Sequence, residues 1–311
     1  MVNRINRETK LWHPLSPEKN PMKNFTTEQL KKILGVKTPA GYFDANYGQQ
    51  SPSKTTSAYT FSAPKSPVSA RGTSGTDYLN RQVAKQMPSS YDVRTVYPMC
   101  ENRIKDQAQC GSCWAFATTN VLEYRYCMAT KGKKYPELSP QNLISCFNSA
   151  SWGCDGGYID QTFLYLEMMG VNTEQCMPYK SGDGNMTACP SKCANGENLY
   201  MNKYYCRPGS TQYMRGEQQF KNYLFNKGPM VAVFDVFEDF INYGGGIYNK
   251  VSGDKLGKHA VKLLGYGVEN STNYYIGVNQ WGKDWGEDGY FRIKAGEVLI
   301  DNEGYGCDPY A

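Results

Sequence analysis

The placement of cysteine constrains this chain more than any other feature. There are eleven cysteines, and none precedes Cys100. Ten can close five disulfides, leaving one thiol that is either an intermolecular link or a reactive group. Such a framework implies an oxidising compartment. The sequons at Asn24, Asn185 and Asn270 agree with that reading, and a glycoprotein is expected. The opening residues show no apolar run of the kind a signal peptide carries. With 40% apolar and 20% charged residues, the 311-residue chain can bury a sizeable core, in one large or two modest domains. The best apolar run, Met230–Phe237, contains Asp235 and is far too short to span a membrane.

Charge divides the chain as the cysteines do. Residues 1–87 hold 13 Lys+Arg against 5 Asp+Glu, and the remainder holds 21 against 24. The basic residues are scattered through Pro/Ser/Thr-rich sequence, which argues against a nucleic-acid surface. Residues 41–70 read as a flexible linker. Leu30, Ile33 and Leu34 share a helical face after Thr26/Thr27, so a short helix is expected near 27–35, ending at Gly35. Trp114, Ala117, Val121, Tyr124 and Met128 predict a helix over 112–128 with one apolar face. Strands are expected at Met230–Val236, His259–Tyr266, Tyr274–Val278 and Gly289–Ile293. Helices first and antiparallel strands later give an α+β fold.

Cys113 falls at the first turn of the expected helix, where free backbone N–H groups and the helix dipole favour a thiolate and lower its pKa. A nucleophile of this kind needs a base. The chain has two histidines. His13 lies in the linker-like front, whereas His259 opens an apolar strand. Asn279 is placed to accept from the imidazole and fix its tautomer, with Trp281 shielding that bond. The Gln107 amide and the Cys113 N–H are placed to hold an oxyanion. The Cys110-Gly-Ser-Cys113 spacing also suits a redox pair, but the βαβ pattern which that chemistry accompanies is absent. Paired CxxC spacing for zinc is absent too.

Four segments in register resemble the papain-like cysteine peptidases. They are Gln107-Ala-Gln-Cys-Gly-Ser-Cys-Trp114; Cys154-Asp-Gly-Gly-Tyr158; His259-Ala260; and Asn279-Gln-Trp-Gly282 with Trp285-Gly-Glu-Asp-Gly-Tyr-Phe291. The front segment, Val2-Asn3 to Leu34-Gly35, and Pro88–Arg94 resemble the cathepsin B-like subgroup in its proenzyme form. The resemblance implies a two-lobed fold, a helical lobe plus an antiparallel β-barrel-like lobe, with residues 1–86 as propeptide and 87–311 as catalytic domain. It implies a cysteine endopeptidase zymogen with Cys113 as nucleophile, His259 as acid/base, Asn279 as orienting residue and Gln107 in the oxyanion hole. Gly156, Gly157, Trp281 and Glu303 would bind substrate, with Glu303 and Tyr305 left as alternatives for the specificity pocket.

Disulfides are implied at Cys100–Cys127, Cys110–Cys154, Cys146–Cys189 and Cys176–Cys193, and Cys206–Cys307 takes the remaining two, leaving Cys113 free. The stretch Cys176–Cys189 is short and holds no His, so carboxydipeptidase activity of the cathepsin B type is not expected. Ala108 and Gln280 stand where the family usually has Gly and Ser, and Lys258 precedes the His. No metal or cofactor is implied. Expected partners are peptide or protein substrates, the chain's own propeptide as intramolecular inhibitor, and cystatin-like inhibitors. The molecule is expected as a monomer in a lysosome-like compartment or secreted. The alternative is a catalytically weak papain-fold binding protein. A basic propeptide on a mildly acidic body suggests docking through carboxylates, with activation favoured by acid and by salt.

Overall fold

The helix that carries Cys113 is the axis on which the rest is built. In the computed structural model, which describes residues 1–38, 87–101 and 103–311, it is the fourth α-helix. The helices are α1 (Val2–Glu8), α2 (Thr27–Lys32), α3 (Val93–Val96), α4 (Cys113–Ala129), α5 (Pro140–Cys146), α6 (Ile159–Met168) and α7 (Glu217–Lys227). The strands are β1 (Trp12–Pro14), β2 (Tyr91–Asp92), β3 (Gln212–Met214), β4 (Met230–Phe237), β5 (Tyr243–Tyr248), β6 (Lys255–Glu269), β7 (Thr272–Val278), β8 (Tyr290–Lys294) and β9 (Glu303–Gly306). The linker expected over 41–70 lies outside the described residues.

The sheet runs β1-β5-β8-β7-β6-β4-β9-β3, with β2 pairing to β6. It is mixed, because β5 and β8 pair in parallel. Alternation along β4 sorts two cores, as a strand's period of two requires. Ala232, Phe234 and Val236 join Val261 and Leu263 on one face, while Val231 and Val233 join Ala260, Trp114 and Val121 on the other. The second face receives α4, α5 and α6, and this is the α+β arrangement of two lobes.

α4 is not amphipathic. Every residue from Cys113 to Cys127 is buried, because apolar clusters and β6 close around it. One-sided spacing therefore understates its burial, and some of its buried polar groups find partners on other elements. Glu123 accepts from Lys105 Nζ and from the Leu138 N–H, each at 2.6 Å, and Lys262 Nζ donates to Asn120 Oδ1. Two further expectations need correcting. His259 does not open its strand; it is interior to the fifteen-residue β6. His13 is not in a loop but in β1, paired antiparallel to β5.

Five disulfides are formed: Cys100–Cys127, Cys110–Cys154, Cys146–Cys189, Cys176–Cys193 and Cys206–Cys307. They are the five pairs set out above, and Cys113 is the free thiol. The long closures remove most entropy from the unfolded chain. Cys110–Cys154 ties the start of α4 to the Gly156–Gly157 loop, which fixes the two walls of a cleft.

Candidate active site

α4 begins at Cys113, so its thiol sits among the free N–H groups of a helix start. Burial nonetheless dominates. It pushes the Cys113 thiol up to about 11, against the lowering effect of hydrogen bonds from the backbone of Ala260, Gly35 and Trp114. The expectation of a lowered pKa thus fails for the chain in this state, because the sulfur is wholly buried, with the Gly35 backbone against it. The Gly35 N–H donates to Cys113 Sγ at 3.2 Å.

β6 and the residues after β7 bring His259 and Asn279 together, with Nε2 of the ring 2.9 Å from Asn279 Oδ1. That oxygen also accepts the Gln280 backbone N–H at 2.9 Å. Because a backbone N–H only donates, the amide orientation is fixed, and His259 must donate from Nε2. Nδ1 is buried without a hydrogen-bond partner and is the nitrogen free to accept a proton. Trp281 stacks on the ring at 4.7 Å between centroids. Burial pushes the imidazole down to about 4, with the Asn279 bond acting against it. Gln280 donates to the Ala260 carbonyl at 2.8 Å, and so braces the backbone next to the imidazole.

Gln107 Nε2 donates to the carbonyls of Cys110 and Ile33, both at 2.7 Å. The amide expected to hold an oxyanion thus holds a carbonyl of the N-terminal segment. Ala108 takes φ +50°. The left-handed conformation at this position explains why glycine would suit it.

On the opposite wall, Gly157 pairs with the segment as it would with an extended peptide. Its N–H donates to the Gly35 carbonyl at 2.9 Å, and its carbonyl accepts from Lys37 at 3.0 Å. A Cβ on Gly156 would lie 2.5 Å from the Gly35 carbonyl oxygen. Val36 joins the apolar cluster that contains Ala260 and Tyr305. Glu303, on β9, is half-buried, and desolvation raises its pKa while Lys258 and Tyr305 act against that shift.

Gly35 was missed as a site residue. A Cβ there would stand 1.7 Å from the Gly111 carbonyl oxygen, closer than any side chain allows. The signal was present as a lone glycine between Leu34 and Val36, which reads more readily as a helix stop. The helix in fact ends at Lys32.

Comparison with known proteins gives the family. The family described as "Papain family cysteine protease" matches residues 87–306. The chain belongs to this family. A cathepsin B-like protein of Giardia intestinalis, CP3, is 39% identical over 68% of this chain and 70% of its own length. Cathepsin B-like cysteine proteinase 4 of Caenorhabditis elegans is 36% identical over 68% of this chain and 71% of its own. Among solved structures, procathepsin B S9 of Trypanosoma congolense matches at TM-score 0.79 and 29% identity, covering 100% of this chain and 97% of its own. The chain is thus a cathepsin B-like papain-family protease, similar to solved procathepsin structures.

One expectation about this proenzyme arrangement changes. Among the described residues, no ion pair joins residues 1–38 to residues 87–311. Arg4–Glu8 lies within the segment, and the others lie within the body. Docking runs instead through buried Ile5, Trp12, Met22, Ile33, Leu34 and Val36 and through backbone pairing. The basic side chains of the segment point to water, where screening makes them weak anchors.

Proposed function

We propose that this chain is a cysteine endopeptidase zymogen in which residues 1–86 are the propeptide and residues 87–311 the catalytic domain. The observation that carries the reading is a peptide laid across three groups at once: the Gly35 N–H on Cys113 Sγ, the Ile33 carbonyl on Gln107, and Gly35–Lys37 on Gly157. Removal of the segment admits water and substrate, so the desolvation that holds Cys113 and His259 neutral is relieved. His259 then takes the Cys113 proton at Nδ1, and Asn279 keeps the ring oriented. The thiolate attacks a peptide carbonyl, and the oxyanion rests on Gln107 Nε2 and the Cys113 N–H. The imidazolium protonates the leaving amine, and water activated by His259 releases the acid from the acyl-enzyme.

Gly156, Gly157 and Trp281 would hold the substrate backbone, and Val36, which shares an apolar cluster with Ala260 and Tyr305, would stand in for a small aliphatic specificity residue, with Glu303 the alternative pocket residue. The stretch Cys176–Cys189 carries no histidine to grip a terminal carboxylate, which supports endopeptidase rather than carboxydipeptidase action. Five disulfides support an oxidising compartment, lysosome-like or extracellular. The test is hydrolysis of a fluorogenic dipeptidyl substrate at acidic pH with reductant, before and after acid processing, with a thiol-directed epoxide in parallel. Turnover after processing, with the adduct on Cys113, supports the peptidase. Folded, processed protein without turnover or labelling would instead be a papain-fold binding protein.

A further inference from the structure

The N-terminal segment makes a second attachment away from the cleft. β1 adds to the edge of the sheet at β5, with Trp12 opposite Gly246, His13 opposite Gly245 and Pro14 opposite Tyr243. The Ile247 N–H donates to the Leu11 carbonyl and the Leu15 N–H to the Asn242 carbonyl, both at 2.7 Å. Gly244, Gly245 and Gly246 form the bed of this contact. A Cβ on each would come within 2.6, 2.8 and 2.4 Å, respectively, of Leu15 N, His13 Nε2 and Leu11 O. Gly244 and Gly246 thus lack side chains where the backbone of the added strand comes close, and Gly245 lacks one beneath the His13 ring. Trp12 is 4% exposed. Its ring lies 5.3 Å from Tyr248 and 6.0 Å from Tyr243, and its indole N–H donates to the Asn249 carbonyl at 2.9 Å.

When the propeptide leaves, all of this is vacated together. The edge of β5 regains unpaired N–H and C=O groups, and the floor of Tyr243 and Tyr248, wholly buried in the zymogen, meets water. An open edge with an aromatic socket and an acceptor at its end is the hallmark of recognition by strand addition. The seat is also joined to the cleft by packed rings. Tyr243 lies 5.5 Å from Trp285, Trp285 lies 5.0 Å from Trp281, and Trp281 stacks on His259.

We propose that the β5 edge of the processed enzyme is an exosite for protein substrates, taking an extended segment that carries a tryptophan. The inference rests on the peptidase reading above. The socket selects an indole because its depth is filled by one in the zymogen and because the Asn249 carbonyl requires a donor. The glycine bed accepts a strand of almost any sequence around that residue.

The test uses the processed enzyme and a heptapeptide of residues 9–15, Thr-Lys-Leu-Trp-His-Pro-Leu, which lacks the cleft-binding residues 33–37. The peptide should bind with a Kd on the order of 10⁻⁵ M, as a short added strand with one anchor allows. It should slow cleavage of an unfolded, tryptophan-containing protein by about five-fold while leaving hydrolysis of a dipeptidyl substrate unchanged. The same peptide with Trp12→Ala should do neither. No binding overturns the exosite, as does equal inhibition of the dipeptidyl substrate, which would place the peptide in the cleft. Release of a dimer by the peptide would make a second copy the occupant and overturn the assignment to substrates. Dipeptidyl turnover without peptide binding removes the exosite and keeps the peptidase; binding without turnover removes the peptidase, and with it the assignment to substrates, and leaves the β5 edge a peptide-binding site.

Discussion

The single residue that decides the state of this molecule is Gly35, because no side chain fits between it and Gly111. Gly35→Ala should prevent the segment from lying on Cys113. Epoxide labelling of Cys113 in the unprocessed chain should then rise at least about ten-fold, since a clash of this kind costs well over 1.4 kcal/mol of docking. Labelling as slow as in the wild type would show that the cover does not depend on that contact. Asn279→Ala removes one hydrogen bond to the imidazole and should lower kcat of the processed enzyme by roughly 10- to 100-fold, the worth of about 1–3 kcal/mol. Ala108→Gly relieves a left-handed backbone and should raise stability by about 1 kcal/mol, read as a higher Tm. Cys113, His259 and Asn279, proposed as nucleophile, base and orienting amide, could be picked out in the sequence because that chemistry restricts them to few residue types. Gly35 could not, because its requirement comes from a carbonyl oxygen 76 residues away in the chain, at Gly111.

At the level of elements, local signals served where local physics decides. The helix start at Thr26 carries a full capping box with Gln29, and the apolar run of β4 is a strand buried on both faces. β1, β3, β5 and β9 were invisible because they are short or glycine-rich and owe their pairing to distant partners. The one-sided reading of α4 failed for a related reason, since burial on every side comes from both lobes and leaves no periodic trace. The capping box yields a prediction at this scale. Thr26→Ala should cost α2 about 1 kcal/mol and loosen the segment, so Cys113 labelling of the full chain should quicken by roughly five-fold. An unchanged rate would mean that α2 contributes nothing to the cover.

For the whole molecule, acid should open the zymogen, and the sign follows from His259. Its ordinary value of 6.5 falls to about 4 when covered, so between those values the opened form binds more protons than the closed one. The advantage of the closed form is full above about pH 6.5 and shrinks as pH falls toward about 4. The Cys113 thiol, pushed up to about 11 in the closed form, keeps its proton there throughout that window; an opening rate flat between pH 6.5 and 4 would show that this proton passes to His259 on opening and cancels the uptake. With no ion pair across the described contact, added salt should change the rate of acid processing by less than about two-fold. A steep rise with salt would restore the carboxylate docking expected from composition. The packed rings beneath Trp12 carry one more consequence. Trp12, Trp285 and Trp281 are joined through Tyr243, and Trp281 lies against the imidazole. Departure of the segment takes one indole away and exposes its neighbours to a newly chargeable quencher, so the zymogen contains its own optical gauge, and maturation can be followed in real time by intrinsic emission without a label or a substrate.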